Sequence, residues 1–120
     1  MGPFDPNSFF SLGKNLVPAL GEQEVVYRTA IGRAYYAAHL TARAKVPANS
    51  WTGMSKQSDE HWFVRHIMKK TSHPEIADKL ETLHQIRKTS DYDMTTGVTK
   101  TDFEDAIQLA GDLLSLIDGV

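Results

Sequence analysis

Arg87, Asp91 and Tyr92 stand close together near the end of the segment Leu83-His-Gln-Ile-Arg-Lys-Thr-Ser-Asp-Tyr-Asp93. Arg is a permanent cation whose planar fork matches a phosphate. A carboxylate four residues on can hold that fork or take a proton. A Tyr can pack, or offer its ring to a nucleic-acid base. About fifty residues earlier, Arg33-Ala-Tyr-Tyr-Ala-Ala-His39 sets an Arg and two Tyr among alanines, where a plain core helix would carry Leu and Ile. Residue types of this kind suit binding of a phosphate-bearing ligand, with Arg33, Tyr36, Arg87 and Tyr92 as candidate contacts.

Each candidate has a plainer reading. Arg87 and Asp91 at a spacing of four make a helical salt bridge in the less favourable orientation, worth a few tenths of a kcal/mol. Arg33 pairs with a carboxylate such as Asp91, a structural link between the segments, or else lines a cleft. Packing is favoured for Tyr92. Glu24 and Arg28 form an i,i+4 pair in the good orientation and nothing more. His39 follows Arg33 by six positions, but six residues turn a helix by about 600°, onto a different face. His61, His66, His73 and His84 suggest a metal, yet His61 and His66 diverge on a helix and no carboxylate completes a set. No metal and no cofactor are expected. Lys56, Arg65, Lys69 and Lys70 form the basic cluster, read first as a solvated face and second as an RNA contact. Trp51 reads as a loop anchor and Trp62 as a core residue. There is no Gly-rich phosphate loop and no Gly-x-Ser-x-Gly elbow.

These residues need a scaffold. At 120 residues the chain is expected to form one domain, residues 1–120, with a core over about 22–117. A formal net charge of −2 means that RNA contact would rest on a local basic face, not on the whole chain. The absence of cysteine excludes a disulfide scaffold, a thiolate metal site and a cysteine nucleophile, and fits the cytoplasm. No apolar run approaches the ~20 residues of a membrane span. The start, Met1 to Pro6, does not read as a signal peptide.

No run alternates in the manner of a strand, so the fold class is all-α: an up-and-down antiparallel bundle of four to five helices. The first helix is expected over Asn7 to Leu20, capped by Asn7 or Ser8 and limited by Pro18 and Gly21. A long central helix runs from Glu22 to about Val46, with Tyr27, Ile31, Ala34, Ala38 and Ala42 on one stripe. Pro47 stops it, and residues 47–57 form a mobile loop. Ser58 caps a third helix to Lys70. Ser72 to Glu75 reads as a capping box opening a fourth, with Ile76, Leu80, Leu83 and Ile86 or Arg87 on one face. Thr101 to Glu104 reads as a second box, opening a last helix with Phe103, Ile107, Ala110, Leu114 and Ile117 along its core face.

The two motifs in this order, from about residue 22 to 117, resemble the HEPN family of small all-helical domains. The resemblance implies a homodimer meeting at the motif helices. In catalytic members it implies metal-independent RNA cleavage by an Arg and a His that follows it. Here the Arg maps to Arg87, and no His follows it; Asp91 and Tyr92 stand in that place. The Arg-x-x-x-Asp-Tyr pattern resembles the branch often encoded beside small nucleotidyltransferases. That implies a module of a toxin–antitoxin or nucleotidyltransferase-linked pair, binding a protein partner and a nucleotide or RNA, without efficient catalysis. Two other readings stand beside it. One is a divergent RNase using Arg87 with Asp91 or Tyr92; the other is a structural helical adaptor.

Overall fold

A computed structural model describes residues 4–53 and 59–120. It forms helices α1 (Asn7–Leu20), α2 (Glu24–Ala44), α3 (Glu60–Lys70), α4 (Pro74–Tyr92) and α5 (Lys100–Asp118), with a 3-10 turn at Ala48–Gly53. Central α2 packs against all four other helices. Its expected stripe is the core: Tyr27, Ile31, Ala34, Ala38 and Ala42 are all buried. The small residues let neighbours come close. Gly13 of α1 shows this most sharply, since a Cβ there would stand 2.8 Å from the Ala30 carbonyl oxygen of α2. From α4 come Ile76, Leu80 and Leu83, and from α5 Phe103, Ala110 and Ile117. Ala106 and Leu113 are buried with them, so the apolar face of α5 is broader than a single stripe.

The helix starts differ from expectation. The first N–H of α1 is taken by Asp5 Oδ1 (3.0 Å), not by a cap at Asn7 or Ser8. Ser58, like Lys56, lies outside the described residues, and α3 is capped by Asp59, whose carboxylate accepts from the His61 N–H. The box at Ser72–Glu75 does not form. Ser72 turns the chain at φ 70°, and His73 precedes α4 without a side-chain cap. The box at α5 is real but lies two residues earlier. Thr99 Oγ1 accepts the Asp102 N–H, and Asp102 Oδ2 accepts the Thr99 N–H. Within the expected loop, Trp51 packs on Phe63 (5.4 Å between centroids) under the Arg43 guanidinium. Trp62 is not a core residue: it is 49% exposed.

A candidate anion site at the α2–α3–α4 junction

The end of α4 is fixed first. Helix ends leave carbonyls without partners. Arg28 of α2 supplies them: its Nη1 donates to the carbonyls of Ser90 (2.8 Å), Asp93 (3.0 Å) and Thr89 (3.3 Å), and its Nη2 to Thr96 (2.7 Å). Glu24 holds Arg28 and also accepts the Val98 N–H (3.1 Å). Arg28 is therefore more than half of a local pair with Glu24. It is the clamp that sets the position of Arg87, Asp91 and Tyr92. Beyond it, Asp93 accepts from Thr95 and Thr96, and the Thr95 side chain foremost holds its carboxyl down to about 2.

The clamped helix brings Arg87 against α2. Its guanidinium lies 5.1 Å from the Tyr36 ring, 5.8 Å from Tyr35 and 5.5 Å from Tyr92, and its Nη2 donates to the Tyr36 hydroxyl (3.2 Å). Asp91 Oδ2 stands 2.7 Å from Arg87 Nε, but off the line of the N–H, so the pair rests on charge and proximity without a directed hydrogen bond. Arg33 does not reach Asp91. It lies between the rings of Phe9 (5.3 Å) and Tyr36 (5.9 Å), and its buried Nε has no acceptor among the described residues. Tyr36 thus carries two arginines. Tyr92 departs from the packing expected of it: it is 68% exposed, its ring set against the Arg87 guanidinium.

Beside the arginines is a stack that the sequence did not announce. Tyr35, fully buried, lies 5.1 Å from His84, 5.5 Å from His61 and 5.8 Å from His39, all nearly parallel. His61 is 4.2 Å from His39 and 4.8 Å from His84. Stacked rings send their lone pairs along separate planes, so the geometry is that of an aromatic stack and not of ligands closing on one ion; the described residues hold no group of three placed to bind a metal. Burial, above all, pushes His39 and His84 down to about 4, helped in each by His61, and lowers His61, with Arg87 adding to it. All three are neutral at pH 7. Arg65 Nη1 donates to His84 Nδ1 (3.0 Å), and His39 Nε2 donates to Glu60 (3.2 Å), a hydrogen bond rather than an ion pair. Tyr35 shares a short hydrogen bond with His61 Nδ1. Burial raises the Tyr35 hydroxyl well above its ordinary range, so it keeps its proton. A buried hydroxyl with one partner donates to it, because an orphaned donor costs ~1–3 kcal/mol. That leaves His61 Nε2 carrying the ring proton, as a donor.

Arg65 and Arg87 therefore meet the stack itself, and Arg33 meets Tyr36, which stands edge-on beside it. Asp91 pairs with Arg87, and Glu60 is held by Arg43 (2.8 Å) and His39. Neither Arg33 nor Arg65 has an ion pair among the described residues. The signal for the stack was present in the spacing: Tyr35 and His39, His61 and Arg65, and His84 and Arg87 each sit three or four apart, so each helix shows one face carrying a pair. What the sequence lacked was the packing that turns those faces together.

The HEPN domain model matches residues 20–120. The chain belongs to the HEPN family. Neither the comparison with curated proteins nor that with solved structures gives a match. The described residues reach this all-helical fold with five α-helices, Arg87 standing on α4 and the stacked histidines on α2, α3 and α4. Among the described residues no helix is long and apolar enough to cross a membrane.

Proposed function

We propose that this HEPN chain holds a phosphate-bearing ligand, RNA in the first place, between Arg33, Tyr36 and Arg87. The observation that carries the reading is the pair of guanidinium groups on one tyrosine, with Arg33 Nε buried and lacking an acceptor. A buried N–H without an acceptor is costly. An anion between the two arginines removes that cost, and Arg is the side chain best suited to grip phosphate oxygens. Exposed Tyr92, in contact with Arg87, gives a base or a protein partner a ring to rest on. In this reading the chain is the His-less Arg-x-x-x-Asp-Tyr branch of the family. It works as a homodimer in a prokaryotic toxin–antitoxin or nucleotidyltransferase-linked pair, in the cytoplasm. The test is RNA binding measured by fluorescence anisotropy. Arg33→Ala and Arg87→Ala are each expected to weaken binding at least tenfold, since charge-assisted bonds contribute roughly 1.5–3 kcal/mol. Affinity equal to the parent in both variants would overturn the reading.

One observation favours a second reading, metal-independent RNA cleavage. His61 lies beside Arg87 on the same two tyrosines, whereas Asp91 is engaged by Arg87. In such a reaction the ribose 2′-oxygen bonds to phosphorus while the P–O5′ bond breaks. The 2′-hydroxyl proton leaves to a base, and the departing 5′-oxygen gains a proton. With the Tyr35 hydroxyl donating to Nδ1, His61 Nε2–H would give its proton to the departing 5′-oxygen, and water would take the 2′-hydroxyl proton. Cleavage of RNA in excess EDTA by the parent, lost in His61→Ala and Arg87→Ala, would establish this reading; intact RNA throughout would remove it.

A further inference from the structure

On the far side of Arg65 is a second feature with no part in the Arg33–Arg87 site. A cavity of about 250 Å³ opens between α3 and α4, lined by Trp62, Arg65, His66, Lys69, Ala77 and Glu81. Trp62 is half-exposed and lies flat on His66, with centroids 4.8 Å apart and planes 9° from parallel. A tryptophan left in water on a helix surface exposes a large apolar face. This one is supported from one side by His66 and rimmed by two cations. Lys69 is only loosely engaged, its Nζ 3.8 Å from Asp78 and both groups exposed. Arg65 makes no ion pair among the described residues. Glu81 sets one carboxylate in the lining, which disfavours phosphate at that wall and can accept from an exocyclic amino group of a base.

Arg65 joins this cavity to the first site. The same side chain that lines the cavity donates through Nη1 to His84, and His84 stacks on Tyr35, over which Arg87 also lies. The cationic groups are therefore linked in series through the buried His84 and Tyr35: Arg33 and Arg87 on the tyrosines, Arg65 on His84, Lys69 in the cavity. An aromatic platform at one end of a basic track is the arrangement that single strands use, since every base has a π-face and every step a phosphate.

We propose that the Trp62–His66 platform is a base-stacking subsite for single-stranded RNA, and that the strand runs from it past Arg65 to the phosphate site at Arg87. This rests on the reading of Arg33 and Arg87 as the phosphate site, but assigns a separate residue set and a length requirement. The ligand is an oligonucleotide, because a mononucleotide occupies one end only.

The test uses a short unstructured RNA, hexa-adenylate, and adenosine 5′-monophosphate as the single-unit control. Binding is read by anisotropy and by tryptophan emission in a Trp51→Phe background, which leaves Trp62 as the single tryptophan. Hexa-adenylate is expected to quench Trp62. Trp62→Ala is expected to weaken hexa-adenylate binding roughly tenfold, to leave monophosphate binding unchanged, and to be rescued by Trp62→Tyr. Trp62 is exposed enough that its replacement leaves the core intact, which circular dichroism checks. Hexa-adenylate bound without quenching, and equally by Trp62→Ala, would overturn the subsite while leaving the Arg87 site standing if Arg87→Ala still weakens binding at least tenfold. Quenching in Arg87→Ala at the same RNA concentrations as in the parent would keep the platform and remove the phosphate site. No binding of hexa-adenylate by the parent would overturn both.

Discussion

His39 and His84 are pushed down to about 4, chiefly by burial, and His61 is lowered as well. Each has an unfolded value near 6.5. Between pH 6.5 and 4 the unfolded chain therefore binds more protons than the folded one, so stability rises with pH across that window and is fully present above it. Acidification through the same window removes it, as protonated imidazoles are forced against Arg65 and Arg87. Urea midpoints measured from pH 7.5 to 4 are expected to fall steadily in the parent. The fall should be shallower in His84→Phe, which keeps a flat ring on Tyr35 but cannot charge. A slope equal to the parent would show that His84 does not titrate with folding. Asp93 titrates lower, near 2, so its loss is separable by pH. The sequence displayed Arg33, Tyr36, Arg87, Asp91 and Tyr92 as candidates, and the structure brings Arg33, Tyr36 and Arg87 together while tying Asp91 to Arg87. It did not display the histidine stack, because three rings from three helices meet only after packing, and periodicity speaks of one helix at a time.

Two side chains show how elements are placed. Gly13 has room for no Cβ, since the atom in its way is the Ala30 carbonyl oxygen and not a flexible side chain. Gly13→Ala is expected to force α1 away from α2 and to lower stability by about 1–3 kcal/mol, read as a shift in the urea midpoint; no shift would show that the helices separate freely. Arg28 accounts for the end of α4. Arg28→Ala leaves partly buried carbonyls of Thr89, Ser90 and Asp93 without a donor. It should cost about 2 kcal/mol or more, and hydrogen exchange of the amides in the last turn of α4 should quicken with it. Unchanged exchange there would contradict the clamp. Helix existence was legible from stripes such as Tyr27–Ile31–Ala34–Ala38–Ala42, all of which are buried. Helix starts were less so. Both Thr99 and Thr101 stand near an acidic residue three positions on, Asp102 and Glu104, and only the folded turn decides which pair closes.

At the scale of the molecule, a chain of net charge −2 binds an anion only if its cations are gathered. The structure gathers Arg33, Arg65 and Arg87 at one junction while several other cations are spent on carboxylates, as in Arg43–Glu60 and Lys100–Glu22. The charge balance of the whole is therefore no guide to the site, which is why composition left any RNA contact to a local basic face. The central claim is that the two arginines on Tyr36 receive a phosphate. The most direct measurement is the arginine Nε–H spectrum of nitrogen-15-labelled protein during addition of a short RNA. The Arg33 and Arg87 signals, assigned with the Arg33→Lys and Arg87→Lys variants, are expected to shift together and saturate with the ligand, while Arg28, committed to the backbone of α4 and the turn after it, stays still. Saturable RNA binding that moves the Arg43 signal, or no arginine signal at all, while Arg33 and Arg87 remain unmoved would contradict the account.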